Sequence, residues 1–447
     1  MIYELKDYKE FQKEPICLAV FNRKGGTGKS IASSSLAKTY ANAGFKVLVI
    51  DDDPQQSLTN NCGINTSIEF TPIIGKKNIS LIAKDYRERN ETIKDYQLDD
   101  LFGKATPLEL AHSEYTGYHD LIQNIFENLP ITKADLEKAI ITPTYRVPKY
   151  IGQKTLEEMS KAEFDEVPYG FDLIPSSEEV TDDELYFITG PKIAVPQSQV
   201  LKTIVNAIKR YCDYDIILID CPPSLGIMSI NAIVASDGVI LVGMPDKQSL
   251  HSLAKTKMNF RDIKRLMPEH NGILGFVLNA VSPRNLVSPI MEYYIKNELN
   301  IRFFNNIIPQ STKAQQSATA NMVFVDMDKK AEKIFEGLAA EILQAYYDNV
   351  AWETYRNGLY QQVYEQLKND PKVIEKLKPS VNEQVQNTIE TYKDRQFTEN
   401  GREQLYNYFL DKELKDYIVE KYDNGELWEK RKNSLHYDIK KGVYTDE

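Results

Sequence analysis

The stretch Phe21-Asn22-Arg23-Lys24-Gly25-Gly26-Thr27-Gly28-Lys29-Ser30 constrains this chain more than any other. It follows an apolar run, Ile16 to Phe21, that reads as a buried strand. It precedes Ile31 to Ala43, whose Ala, Leu and Ser content reads as a helix. A strand, a glycine loop and a helix in that order form a phosphate cradle. Glycines let the backbone bend until successive N–H groups point at one anion, and the helix N-terminus adds the positive end of its dipole. The candidate nucleotide contacts are therefore Lys24, Gly25, Gly26, Thr27, Gly28, Lys29, Ser30 and Ile31. Lys29 is placed to reach the β- and γ-phosphates, and the Ser30 hydroxyl to ligate magnesium.

The loop departs from the ordinary pattern at one position. Arg23 stands where that pattern has glycine, and a second lysine, Lys24, directly precedes the glycine pair. A lysine there lies on the rim, able to face a nucleotide held by a neighbouring subunit as easily as its own.

Two further strand tips carry carboxylates. Lys46 to Ile50 reads as a strand ending in Asp51-Asp52-Asp53-Pro54-Gln55. Acids at the C-terminal end of a parallel strand lie on the ligand edge of an open α/β sheet. Alternation points Asp51 and Asp53 one way and Asp52 the other. Asp53 is read as the residue that orients the attacking water, and Asp51 as either a magnesium-side or a structural partner. Downstream, Tyr214-Asp215-Ile216-Ile217-Leu218-Ile219-Asp220 reads as a central parallel strand tipped by a carboxylate. Pro222 and Pro223 end it and stiffen the next loop. The metal candidates are Ser30, Asp53 and Asp220; the catalytic candidates are Lys24, Lys29 and Asp53.

The string Lys24 to Ser30 resembles the deviant Walker A box of the ParA/MinD family, and within it the Soj-like plasmid and chromosome partition ATPases. Asp51-Asp52-Asp53-Pro54-Gln55 and the intact Asp220-Cys221-Pro222-Pro223-Ser224-Leu225-Gly226 agree with that resemblance. It implies a weak ATP hydrolase using ATP and Mg2+, in which Asp220 holds magnesium and the string 220–226 serves as a switch loop that senses the γ-phosphate. It also implies an ATP-dependent homodimer in which Lys24 completes the partner's site. Asn279 would contact the adenine, and the loop at Pro309 would frame the base. The resemblance further implies non-specific DNA binding, a ParB-like centromere-binding partner that triggers hydrolysis, and a cytoplasmic, nucleoid-associated protein.

The order of strands and helices predicts a doubly wound, mostly parallel α/β sheet of P-loop type with an α-helical C-terminal extension. Residues 1–14 read as an N-terminal arm, 15–346 as the ATPase domain and 349–447 as a helical appendage. Helices are expected near His119–Asn128, Thr132–Ile140, Ser198–Tyr211, Lys247–Met267 and Asp326–Tyr347. Further strands are expected at Phe171–Ile174, Gly238–Gly243, Gly272–Ala280 and Arg302–Ile308, and the last residues, Tyr444 to Glu447, are expected to fray. Part of 64–115 reads as an insertion, either a surface elaboration or a partner-binding segment. The tail reads as an interaction module or a brace for the core.

Among 447 residues the net charge is -11, which excludes a uniformly basic nucleic-acid binder but leaves room for a local patch. Lys255, Lys257, Arg261, Lys264 and Arg265 on one helix are the candidate patch, with Arg284 and Lys313 weaker. The four cysteines form no C-x-x-C pair, which counts against an iron–sulfur or metal carrier. A MinD-like regulator at a membrane or cell pole stays open. Against it stand the missing basic amphipathic end and the lack of an apolar run of roughly 18 residues.

Overall fold

A computed structural model describes residues 3–62, 64, 69–70, 105–106, 117–148, 164–177, 179–189, 193–266, 270–282, 284–319, 322–391, 398–418 and 435–446. Most of the expected insertion at 64–115 lies outside the described residues. The chain divides into two compact units, Met1–Tyr346 and Tyr347–Glu447.

The first unit is organised around a six-stranded sheet, with strands β1 (Ile16–Phe21), β2 (Val47–Asp51), β3 (Asp172–Ile174), β4 (Ile216–Asp220), β5 (Gly238–Gly243) and β6 (Ile273–Leu278). Their spatial order is β6-β5-β1-β4-β2-β3, and every neighbouring pair is parallel. The near-continuous aliphatic runs follow from that arrangement, because a parallel sheet is covered on both faces. Residues of β1, β2, β4 and β5 are buried throughout.

Alternate residues divide between two layers. Cys17, Ala19, Phe21, Leu48, Ile50, Ile217, Ile219, Val239 and Leu241 join one core with the helices Tyr118–Phe126, Lys133–Ala139, Val200–Tyr211, Ile227–Ala235 and Val287–Asn297. Val200, Leu201, Ile204, Val205 and Ile208 are all buried there, the face that their helical spacing predicts. In another layer, the Tyr40 hydroxyl of the Lys29–Asn42 helix donates to the Ala339 carbonyl at 3.1 Å, tying it to the long Lys329–Leu367 helix.

Several expectations need correction. Residues 302–308 form no strand ladder; Phe303 and Pro309 make only isolated bridges, to Phe276 and Val281. The Asn305 and Asn306 N–H groups turn instead to the Glu341 carboxylate, at 2.9 and 3.4 Å. The core-closing helix does not stop at Tyr347; after a short turn of helix, Phe324–Met327, it runs unbroken from Lys329 to Leu367. The N-terminal arm carries structure of its own. Leu5–Phe11 is a helix whose buried Tyr8 donates to Gln344 Oε1 at 2.6 Å.

In the second unit, Pro371–Thr391 and Glu399–Ile418 are helices. Val373, Leu377, Val381, Val385, Leu414 and Ile418 bury against one another, with Val363, Leu367, Leu405 and Phe409 packed alongside. Tyr444 to Asp446 are not frayed: Val443–Asp446 pairs antiparallel with Leu435–Asp438 as a hairpin, and Glu447 lies outside the described residues.

Candidate functional site

The glycine loop between β1 and the Lys29–Asn42 helix takes the conformation its residues require. Gly26 and Gly28 have φ of +69° and +82°, which favours glycine. Gly28 has a second constraint, since a Cβ there would lie 2.2 Å from the Asn279 amide nitrogen. That amide donates to the Thr27 carbonyl at 2.7 Å, so the tip of β6 is fastened to the loop. Asn22 extends the fastening on the other side: its amide donates to the Val242 carbonyl, and its Oδ1 accepts the Lys24 N–H at 3.1 Å.

The two lysines of the loop occupy different surroundings. Lys29 is buried, at 6% exposure; burial raises the Asp53 and Asp220 carboxyls, and the nearby Lys29 charge partly opposes that rise. Lys24 keeps 30% of its side chain exposed and pairs with Asp246 at 2.8 Å. Asp246 also accepts from the Ser249 N–H at 2.8 Å and the Ser249 hydroxyl at 3.1 Å, in the first turn of the Lys247–Leu266 helix. Burial pulls the Asp246 carboxyl up, but the bonds from Lys24 and Ser249 outweigh it and hold the group below its ordinary value. Asp246 escaped the sequence reading. Its signal was an acid just past a buried strand, three residues before a serine, at the same sheet edge as the other acids.

Asp220 and the acidic run gather at the ends of β4 and β2. Asp51 lies in register with Asp220, and the Asp52 N–H donates to the Asp220 carbonyl at 3.0 Å. The Asp220 carboxylate accepts from the Ser33 hydroxyl at 2.8 Å, and its other oxygen is buried without a protein partner. Burial raises the Asp220 carboxyl, against the nearby Ser30 hydroxyl, the Lys29 charge and the Ser33 hydrogen bond. Asp51 is likewise raised by burial and by Asp220 beside it. One Asp51 oxygen accepts from the Thr59 N–H and hydroxyl at 2.8 and 2.7 Å, and the other accepts the Asp53 N–H at 3.2 Å. Of its two expected roles, those contacts fit the structural one. Asp53 is 5% exposed and accepts the Gln55 N–H at 3.0 Å.

Among the described residues no three His, Cys, Asp or Glu side chains converge as a cage for a metal. A hydroxyl, one or two carboxylates and an unpartnered buried oxygen on Asp220 are what a hard cation asks of a site that leaves its other positions to phosphate and water. The residues present therefore fit magnesium.

The loop carrying Pro222 and Pro223 abuts the glycine loop, for a Cβ on Gly25 would lie 3.8 Å from Pro223 Cβ. The Ser229 hydroxyl donates to the Pro222 carbonyl at 3.4 Å and also to the Ser224 carbonyl, bracing that loop from below. Pro309 is exposed and bridges Val281, so it lies near Asn279 on one edge of the site. On the candidate basic helix, Lys255 is exposed while Lys257 is occupied by the Leu299 carbonyl; the side chains of Arg261, Lys264 and Arg265 lie outside what is described. Arg284 is exposed, and Lys313 pairs with Asp328 at 3.2 Å.

A parallel sheet with a glycine loop after its central strand, and acids at the adjoining strand tips, defines a P-loop nucleotide-binding protein. A family model described as an AAA domain matches residues 16–271, and the chain belongs to that family as a P-loop ATPase of the ParA/MinD type. It is 22% identical to the sporulation initiation inhibitor protein Soj of Bacillus subtilis over 328 residues, covering 73% of this chain and 97% of Soj. It is 21% identical to the chromosome partitioning protein ParA of Caulobacter vibrioides over 336 residues, covering 75% of this chain and 96% of ParA. Among solved structures, a putative plasmid partition protein from Borrelia burgdorferi bound to AMPPNP aligns with a TM-score of 0.46 and 19% identity, covering 75% of this chain and 99% of that one.

Proposed function

We propose that the protein is a partition ATPase that dimerises on ATP, binds DNA without sequence preference and moves a plasmid or chromosome. The division of labour between its two loop lysines carries this reading. Lys29 is buried beside the acids, whereas Lys24 stands on the rim, paired with an acid of its own chain. The relatives named for partition support the biological setting.

In this reading the loop N–H groups and Lys29 bind the triphosphate, and Ser30, Asp53 and Asp220 hold magnesium. Magnesium held there would supply positive charge against the negative charge that develops on the phosphate. Asn279 and Pro309 flank the base. Asp53 orients the attacking water. Lys24 leaves Asp246 and reaches the nucleotide of a second subunit, so hydrolysis by a lone subunit is slow. A centromere-binding protein then acts on the dimer to speed turnover.

The decisive experiment is light scattering with a non-hydrolysable ATP analogue, followed by phosphate release. Wild type is expected to double its mass from 51.3 kDa on adding the analogue. Lys29→Ala is expected to lose nucleotide binding. Lys24→Ala and Asp53→Ala are expected to bind nucleotide and release no phosphate; phosphate release at the wild-type rate in either refutes its role. For DNA, charge reversal at Arg261 and Lys264 is expected to weaken retention and flatten its salt dependence by about 0.9 log units per lost phosphate contact. Unchanged binding at low salt removes that helix from consideration.

A further inference from the structure

Asp52 is an odd residue for its place. Its carboxylate meets Tyr118, whereas Asp51 meets Thr59 and Asp53 meets Gln55, and the residue is fully buried. One of its oxygens accepts the Tyr118 hydroxyl at 2.7 Å; the other has no partner. An apolar side chain would fill this position without the cost of burying a half-satisfied carboxyl. What the acid provides is a directional link from the end of β2 to the Tyr118–Phe126 helix.

That link is one arc of a closed ring. The Tyr118 N–H donates to the Pro175 carbonyl at 3.1 Å. The next residue, Ser176, donates its N–H to the Thr59 hydroxyl oxygen at 3.1 Å. The Thr59 hydroxyl in turn donates to Asp51, the neighbour of Asp52, at 2.7 Å. Tyr118, Ser176 and Thr59 are each buried, at 1% exposure or less. The ring thus grips the strand end from both faces, Asp51 on one and Asp52 on the other. Asp53 is the next residue, and the Asp52 N–H on the Asp220 carbonyl sets its spacing from the adjoining strand.

We infer that Tyr118 and Thr59 are positioning residues, closing a ring of hydrogen bonds through Asp51 and Asp52 that fixes Asp53 where it orients the water that attacks the terminal phosphate. This rests on the role proposed above for Asp53. Neither Tyr118 nor Thr59 touches nucleotide in this scheme; both act through the strand end. The triphosphate is held by the glycine loop, so loosening the ring leaves its affinity in place and slows turnover.

The test separates turnover from binding in the full chain. Tyr118→Phe removes one O–H and keeps the ring that fills the core. It is expected to lower kcat about tenfold while the Kd for a fluorescent ATP analogue stays within about twofold. Hydrogen exchange is expected to quicken at the amides of residues 52–56 in the nucleotide-free protein. Thr59→Val opens the ring on its other side and is expected to give the same pattern. Asp52→Asn, whose side-chain oxygen can still accept the Tyr118 hydroxyl, is expected to keep kcat close to wild type. Should Tyr118→Phe not fold, Thr59→Val and Asp52→Asn carry the comparison. Wild-type kcat in both ring-opening variants, with only a lower melting temperature, overturns the inference and assigns the ring to stability alone. If wild type itself releases no phosphate, or Asp53→Ala releases it normally, the fault lies in the role given to Asp53 and not in the ring; exchange at 52–56 then still reports whether the ring holds the strand end.

Discussion

At Gly28 the backbone angle and a neighbour exclude any side chain at once. A left-handed φ of +82° costs an L-residue about 1–2 kcal/mol, and the Asn279 amide already fills the space a methyl would take. Gly28→Ala is therefore expected to lower the melting temperature and to abolish nucleotide binding, with Asn279 driven off the Thr27 carbonyl; a calorimetric titration and a thermal melt check both. Asp246 offers a different measurement. Its carboxyl lies below the ordinary 3.8, so its pairing is complete at neutral pH and is lost only as pH falls through that lowered value. A carbon-detected titration is expected to find Asp246 below exposed aspartates, and Lys24→Ala to raise it. The glycine loop, Asp53 and Asp220 could be picked out from the chain because each motif is local: spacing along the strand or loop is its geometry. The pairings of Asp246 and Tyr118 could not, because their partners Lys24 and Asp52 are 222 and 66 residues away in sequence.

Among elements, the six strands of the sheet were readable because burial on both faces writes itself as an unbroken aliphatic run. The segment 302–308 carried the same signature and misled. Its apolar residues are buried at Phe303, Phe304 and Ile308, yet Asn305 and Asn306 leave the ladder for Glu341. Glu341 is 6% exposed, so Glu341→Ala strands two backbone N–H groups and is expected to cost about 2 kcal/mol in a denaturant melt. Gly337 confirms how closely the two segments approach, for a Cβ there would meet the Asn306 side chain at 2.6 Å. The long helix beginning at Lys329 was cut short in the sequence reading because composition shifts near residue 347. A shift in composition is not a stop signal; no proline intervenes until Pro371, and Gly358 alone does not break the helix.

For the molecule as a whole, the second unit has its own apolar cluster, centred on Val381, which is fully buried. Val381→Asp places an unpaired charge there, at a cost of several kcal/mol. The expected outcome is loss of helical signal from the tail with nucleotide affinity unchanged, read by circular dichroism and analogue binding; a parallel loss of affinity would show that the first unit depends on the second. The tail's helices were foreseen from periodic leucines and aromatics, but its closing hairpin was not, because two four-residue strands leave little pattern to read. The position of β1 has a consequence for how such a chain comes into being. Ile16 pairs with Ile216 and Leu18 with Gly238, while β2 pairs with β4 and β3 but not with β1. β1 thus waits for about 200 further residues of synthesis before either neighbour exists, roughly 10–40 s at ordinary elongation rates. During synthesis its bare apolar faces are a natural target for chaperones, and the loop that later cradles phosphate acquires its shape only when the middle of the polypeptide has arrived.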